Sequence, residues 1–382
     1  MTKLPDGWAW TTIAEVCEKP KYGWTTSASD FGEVKLLRTT DLTHGPITWE
    51  TVPFCKETPK TVADYEVHPN DIFISRAGSV GVSVLVKDVP FKAVFASYLI
   101  RIRPTNKIDA KYLSLFLQSP HYWNQVSELS SGIALANINA TKIQSMSLPL
   151  PPIDEQHKIV ELLEDHLSRL DAALTDVKQA KIKAAQFRRS FVHEMTTAIE
   201  SSEVMGILDI CDVYQPKTIS IKELIADGEF PVYGANGQIG FYDKFNHEDS
   251  EVTVTCRGAT CGTVNVIPAM SWITGNAMVF RPKDSRIQKG FLEYVLRGMD
   301  WTPVITGTAQ PQITRTSIQD VFVNVPSPDV QGEIYMKLES SLTQVTNAEL
   351  LSKKVEMQAA NLRRSLLQAA FTGQLTKEVV SV

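Results

Sequence analysis

At 382 residues, with 43% hydrophobic and 21% charged content, the chain is too apolar for disorder and long enough for two domains of ordinary size. No run of about 18 apolar residues occurs, which excludes a membrane-spanning helix, and the opening MTKLPDGW lacks the basic-then-apolar pattern of a signal peptide. The five cysteines are odd in number and never spaced Cys-x-x-Cys, which argues against a disulfide framework or zinc knuckle and fits a reducing cytoplasm. A formal net charge of −5 argues against a basic domain that grips nucleic acid unaided.

The predicted elements fall into four segments. Residues 1–152 read as a strand-rich α/β domain, with short β-branched or alternating runs at 82–86 and 98–103 and a helix over 111–118. Fifteen basic and 14 acidic residues leave this segment nearly neutral. Residues 153–199 read as one long helix. Its apolar or small residues recur at Leu163, Leu167, Leu170, Leu174, Val177, Ala184, Phe191 and Met195, the alternating spacing of a coiled-coil seam, interrupted by Lys181 and Arg188. Pro151 and Pro152 stand just before it, and Asp154 and Glu155 lie at the positive end of its dipole. Residues 200–328 form a second α/β domain, with strands at 252–255 and 277–280 and a helix over 290–297, but with 10 basic against 15 acidic residues. Residues 329–382 read as a second long helix opened by Asp329, with a seam at Leu338, Leu342, Val345, Ala348, Leu351, Val355, Ala359, Leu362 and Leu366. Each helix runs about 40 residues, roughly 60 Å.

The chain is a duplication. A shift of 175 residues lays Thr141 to Gln156 (TKIQSMSLPLPPIDEQ) on Thr316 to Gln331 (TSIQDVFVNVPSPDVQ), and QFRRSF from Gln186 on NLRRSL from Asn361. With altered offsets, Asp71 to Gly81 (DIFISRAGSVG) resembles Glu251 to Gly262 (EVTVTCRGATCG), and Ser97 to Pro104 resembles Gly275 to Pro282. A narrow apolar stripe over such a length needs a partner helix, and the second copy supplies one running back antiparallel. This predicts two domains separated by a helical pair with pseudo-twofold symmetry; pairing between two chains is the alternative. Two similar but non-identical domains suit a ligand with two recognition elements at fixed spacing, such as DNA half-sites about 34 Å apart, with the helices as a ruler.

The run Leu148 to Gln156 before a long helix, Asp71 to Gly81, the opening LPDGW from Leu4, and Leu366 to Leu375 (LLQAAFTGQL) together resemble the specificity subunits of type I restriction–modification enzymes. The resemblance covers essentially the whole chain. It departs from the pattern in the second copy, where VPSPDVQ from Val325 replaces the Pro-Leu-Pro-Pro run. It implies two target-recognition domains that each read half of a split double-stranded DNA sequence, and helices that dock two methyltransferase subunits. Restriction (motor-nuclease) subunits would join the full complex. S-adenosylmethionine would belong to the methyltransferase subunits and ATP/Mg to the motor subunits, with no cofactor on this chain. A coiled-coil scaffold with protein- or glycan-binding α/β domains, or an unrecognised enzyme, are the competing readings.

Catalytic chemistry is absent from the motifs. Leu150-Pro-Pro-Ile153 lacks the amide or acid and the aromatic of an adenine-methyltransferase loop. The glycines at 234, 237 and 240 form neither a dinucleotide fingerprint nor a phosphate loop, and the seven histidines show no metal-binding pairing. Candidate DNA contacts are Arg, Lys, Asn and Gln in loops, because Arg pairs with guanine or phosphate and Asn or Gln with adenine. Arg76 with Ser79, and Arg257 with Thr260, occupy the Gly-containing loops shared by both copies, which favours phosphate contact. Sequence reading is expected where the copies differ: Lys35, Arg38, Asn137, Asn139 and Lys142 in the first, and Asn236, Gln238, Gln310, Gln312 and Arg315 in the second. Trp24, Trp49, Tyr98, Trp123 and Trp272 are expected to serve core packing. Lys178, Lys181, Lys183, Arg188 and Arg189 make a basic cluster suited to a solvated face or partner docking. The recurrent Arg188-Arg189 and Arg363-Arg364 pairs suit helix pairing or docking, as do the seam residues, including Leu366.

Overall fold

The computed structural model describes residues 4–43, 45–130, 137–235, 237–307 and 310–376. The chain forms two compact units, Met1–Asp176 with Val355–Val382, and Val177–Lys354. Each is a strand-rich α/β domain packed on parts of two long helices, Ile153–Thr197 and Pro328–Phe371.

In the first unit an antiparallel sheet runs in the order Lys21–Tyr22, Leu99–Ile102, Ile72–Ser75, Ser83–Leu85. A second sheet joins Lys35–Leu37 in parallel to Ala93–Phe95. Helix Ala110–Phe116 is opened by Asp109, whose carboxylate accepts from Tyr112 N–H at 2.9 Å. The strand Ala9–Thr12 pairs with Ser147–Leu150, so the chain entering the domain lies beside the chain leaving it for the long helix.

The second unit repeats this plan. Its main sheet runs Cys211–Tyr214, Ala277–Pro282, Glu251–Thr255, Val264–Ile267. Phe230–Gly234 pairs in parallel with Trp272–Ile273, and Glu203–Gly206 pairs with Phe322–Val325 ahead of the second long helix. Helix Lys289–Gly298 occupies the place of Ala110–Phe116. The sequence patterns locate strands Ser83–Leu85, Leu99–Ile102, Glu251–Thr255 and Ala277–Pro282 and helices Ala110–Phe116 and Lys289–Gly298, but not the other strands, nor helix Pro120–Ser130, whose mixed polarity hides its two buried residues, Tyr122 and Val126.

Two polar devices recur in both units. Gln156 and Gln331 are fully buried in the first turn of each long helix. The Gln156 amide accepts from Asp109 N–H at 2.8 Å and donates to Pro151 C=O at 2.9 Å. Gln331 accepts from Gln288 N–H at 2.8 Å and donates to Pro326 C=O at 2.8 Å and Arg286 C=O at 2.7 Å. A buried amide with its donors and acceptors satisfied ties domain to helix in each copy. An acid at the start of the central strand is the second device: Asp71 pairs with Arg103, and Glu251 with Arg281.

Within each unit the long helices pack against one another. In the first, Leu163 and Leu167 join Leu367, Ala370 and Phe371 in one apolar core, and Arg363 pairs with Asp171. Thr376 reaches Glu155, so the pairing is antiparallel. In the second, Val192, Leu338 and Leu342 share a core with Phe191 packed against it, while Arg188 donates to Glu349 at 2.9 Å and Thr346 at 3.2 Å. Leu170, Leu174 and Leu366 are half-buried.

The second helix departs from the expected seam. Ala348 is exposed, and Leu351 and Leu362 are 61% and 51% exposed, while Glu349, Ser352, Arg363 and Leu367 take the inward places. Glu349 and Arg363 turn inward because each meets an opposite charge on the facing helix. A search for apolar residues alone misses such positions. This helix ends at Phe371, and residues 377–382 lie outside the described residues.

Candidate DNA interface

The singled-out residues separate into those committed to the fold and those gathered at one place in each unit. Lys35 is buried, donates to Val52 C=O at 2.6 Å, and lies 4.2 Å over the Phe54 ring. That corrects its expected role, because a cation enclosed by its own domain cannot reach a groove. Arg38 is held by Asp41 through its guanidinium and its backbone N–H. Asn139 caps helix Ala140–Gln144 by accepting from Lys142 N–H at 2.9 Å, and Lys142 Nζ donates to Leu129 C=O at 2.6 Å. Gln238 lies exposed on the hairpin strand Gly237–Tyr242, and Asn236 falls outside the described residues.

The remaining candidates gather around a turn that follows the central strand. In the first unit the chain turns after Ile72–Ser75, with Gly78 and Gly81 at φ +76° and +86°. A Cβ on Gly81 would lie 2.9 Å from Val126, so both backbone angle and space require glycine there. Arg76 N–H donates to Tyr98 C=O at 3.0 Å, and its own carbonyl accepts from Ile138 N–H at 3.2 Å, bringing Asn137 beside it. Ser79 is exposed on the turn.

The second unit shows the same turn one residue longer, with Gly258 and Gly262 at φ +88° and +91°. Cys256 N–H donates to Asn276 C=O at 3.0 Å, and Cys256 C=O accepts from Ile313 N–H at 3.0 Å. Gln312 exchanges backbone hydrogen bonds with Thr306 and bridges to Arg257. Arg257, Thr260, Gln310, Gln312 and Arg315 are exposed there. Among the described residues Arg257 and Arg315 have no carboxylate partner, whereas Arg281, Arg286 and Arg297 are each paired.

These bonds correct one sequence equivalence. Arg76 matches Cys256, not Arg257, because both make the same two backbone hydrogen bonds. The arginines therefore sit one residue apart on the turn, and the inference that a shared arginine contacts phosphate loses its premise. Tyr98, expected in the core, is 62% exposed beside this turn, while Trp49 is buried as expected. Trp123 is 40% exposed, and Trp24 and Trp272 are half-buried with their indole N–H groups on Glu57 C=O and Lys217 C=O.

No group of His, Cys, Asp and Glu able to hold a metal occurs among the described residues, and no described helix is long and apolar enough to cross a membrane. Cys17, Cys55, Cys211 and Cys256 are buried and Cys261 half-buried, none of them disulfide-bonded.

The sequence model of the type I restriction modification DNA specificity domain matches residues 5–184 and again 199–357. The type I restriction enzyme StySPI specificity subunit of Salmonella potsdam is 23% identical over 426 residues, spanning 98% of this chain and 91% of that one. A chain solved in a study of complex assembly and conformational transition of the type I R-M system superposes with a TM-score of 0.80 at 18% identity, covering 97% of this chain and 99% of that one. The HsdS subunit from Thermoanaerobacter tengcongensis gives 0.57 at 18% identity over 97% and 98%. The duplicated domain, its paired helices and the doubled family match have one conclusion: this chain belongs to the type I restriction modification DNA specificity family, whose members recognise DNA and leave catalysis to other subunits.

Proposed function

We propose that the chain reads a bipartite duplex target, each unit contacting one half-site through the turn after its central strand and the segment before its long helix. The observation that carries this reading is the pairing of a repeated scaffold with an unrepeated tip. Among the described residues, arginines without a carboxylate partner and amide side chains collect at the same turn in both units, but as different residues. A reader of two unlike half-sites needs that combination.

The long helices, in this reading, dock two methyltransferase subunits, and restriction subunits complete the complex. Exposed Ile182, Phe187, Leu351 and Leu362 offer apolar surface for partners. S-adenosylmethionine, ATP and Mg belong to those partners, and the assembly works in the cytoplasm. The net charge of −5 supports a division of labour in which a partner supplies much of the phosphate affinity. Helix length sets the spacer between half-sites. Selection of bound duplexes from a random pool by the assembled methyltransferase complex tests the reading. Two short specified blocks at fixed spacing are expected; a single block, or none, contradicts it.

A further inference from the structure

One arginine in the first domain differs from its neighbours in what its guanidinium meets. Arg38 is held by Asp41, Arg103 by Asp71, and Arg101 donates to Glu66 C=O at 2.9 Å. Arg76 alone of these four has no acceptor for its guanidinium among the described residues. It is only half-buried, and its guanidinium carbon lies 4.9 Å from the centroid of the Tyr22 ring. Tyr22 is itself fixed, since its hydroxyl accepts from Ala140 N–H at 2.9 Å, and it is 40% exposed. Stacking on a fixed ring removes rotamer freedom from the arginine while leaving its five N–H donors unused. Nearby, the Asn137 Oδ1 is buried with no donor among the described residues.

The second unit replaces both members of this pair. Cys256 stands at the place of Arg76. Gln215, one residue beyond strand Cys211–Tyr214, stands at the register position of Tyr22. Its amide donates to Cys256 Sγ at 3.0 Å, so the side chains at these two positions touch in both units with different chemistry. A phosphate contact has no reason to differ between two half-sites, because the backbone is the same in both. A base contact does.

We propose that Arg76, braced on Tyr22, is a specificity-determining residue that reads a guanine edge in the half-site of the first unit. A planar fork held in place forms two hydrogen bonds to guanine O6 and N7. The second unit presents no arginine at the equivalent position.

This rests on the bipartite reading, and the experiment separates the two. The assembled complex, with wild-type chain, Arg76→Ala, Arg76→Lys or Tyr22→Leu, selects duplexes from a random pool, and its affinity is followed against salt. Arg76→Ala is expected to abolish the G·C preference at one base pair of one half-site, a change on the order of 10- to 100-fold. Arg76→Lys keeps the charge but loses the fork and gives a similar loss, whereas Tyr22→Leu weakens the same preference by less. Every other position stays specified. Uniform weakening on all sequences by Arg76→Ala, with a salt slope shallower by about one, makes Arg76 a phosphate contact and overturns the proposal. So does an unchanged preference in both Arg76 variants. A wild-type complex without two specified blocks removes the bipartite reading and this inference together.

Discussion

The two units differ least in the hydrogen bonds that hold domain to helix and most in the side chains at the turn. Gln156 and Gln331 make matching hydrogen bonds, Asp71–Arg103 and Glu251–Arg281 occupy the same place, and the glycines of both turns have positive φ. Yet Arg76 faces Tyr22 in one unit while Cys256 faces Gln215 in the other. Buried polar groups are held by a hydrogen-bond requirement that every copy shares. Side chains at a tip answer to the ligand, and the ligand of each copy is different.

The largest expected effect tests whether the scaffold is equivalent in both units. Leu163 and Leu338 occupy the same place in the repeat and are both fully buried. Leu163→Ala and Leu338→Ala should each cost about 2–5 kcal/mol, measured by denaturant unfolding. A large cost in one and a negligible cost in the other breaks the comparison. Gln156→Leu and Gln331→Leu come next, at roughly 2–3 kcal/mol each, because buried backbone groups lose their partners.

The acid pairs sharpen the comparison, because here the units are not equal. Asp71 also accepts from His68 N–H at 2.9 Å and leaves Arg103 30% exposed, whereas the partner of Glu251, Arg281, is 47% exposed. An arginine closer to water loses less when its acid is removed. Asp71→Ala should therefore cost about 2–3 kcal/mol and Glu251→Ala about 1. Reversed order in urea melts would contradict this.

A smaller effect concerns the thiols. Burial pushes Cys17 and Cys211, equivalent in the two units, up to about 12, and Cys55 to about 11. Folded-state alkylation at pH 8 should reach half-buried Cys261 first and leave Cys17 and Cys211 equally slow, as read by peptide mass spectrometry. Preferential labelling of either buried thiol would show that its unit opens more readily.

Periodicity and repetition made the helices and the two-domain plan legible in the sequence. Leu163, Leu167, Leu338 and Leu342 follow the spacing of one buried helix face. The polar pairings were not legible, because Lys35 over Phe54 and Arg363 on Asp171 depend on what lies across the fold. The mismatch at the turn was hidden by one letter: SRAG and TCRG each carry an arginine near a glycine, and only the backbone bonds to Tyr98 and Asn276 show that the arginines are not equivalent.

The central claim is that each unit reads its own half-site. Its most direct measurement is a methylome from cells expressing the methyltransferase complex after residues 1–145 are exchanged for those of another family member. One block of the methylated sequence should change, with the other block retained base for base. Alteration of both blocks, or of neither, would contradict the account.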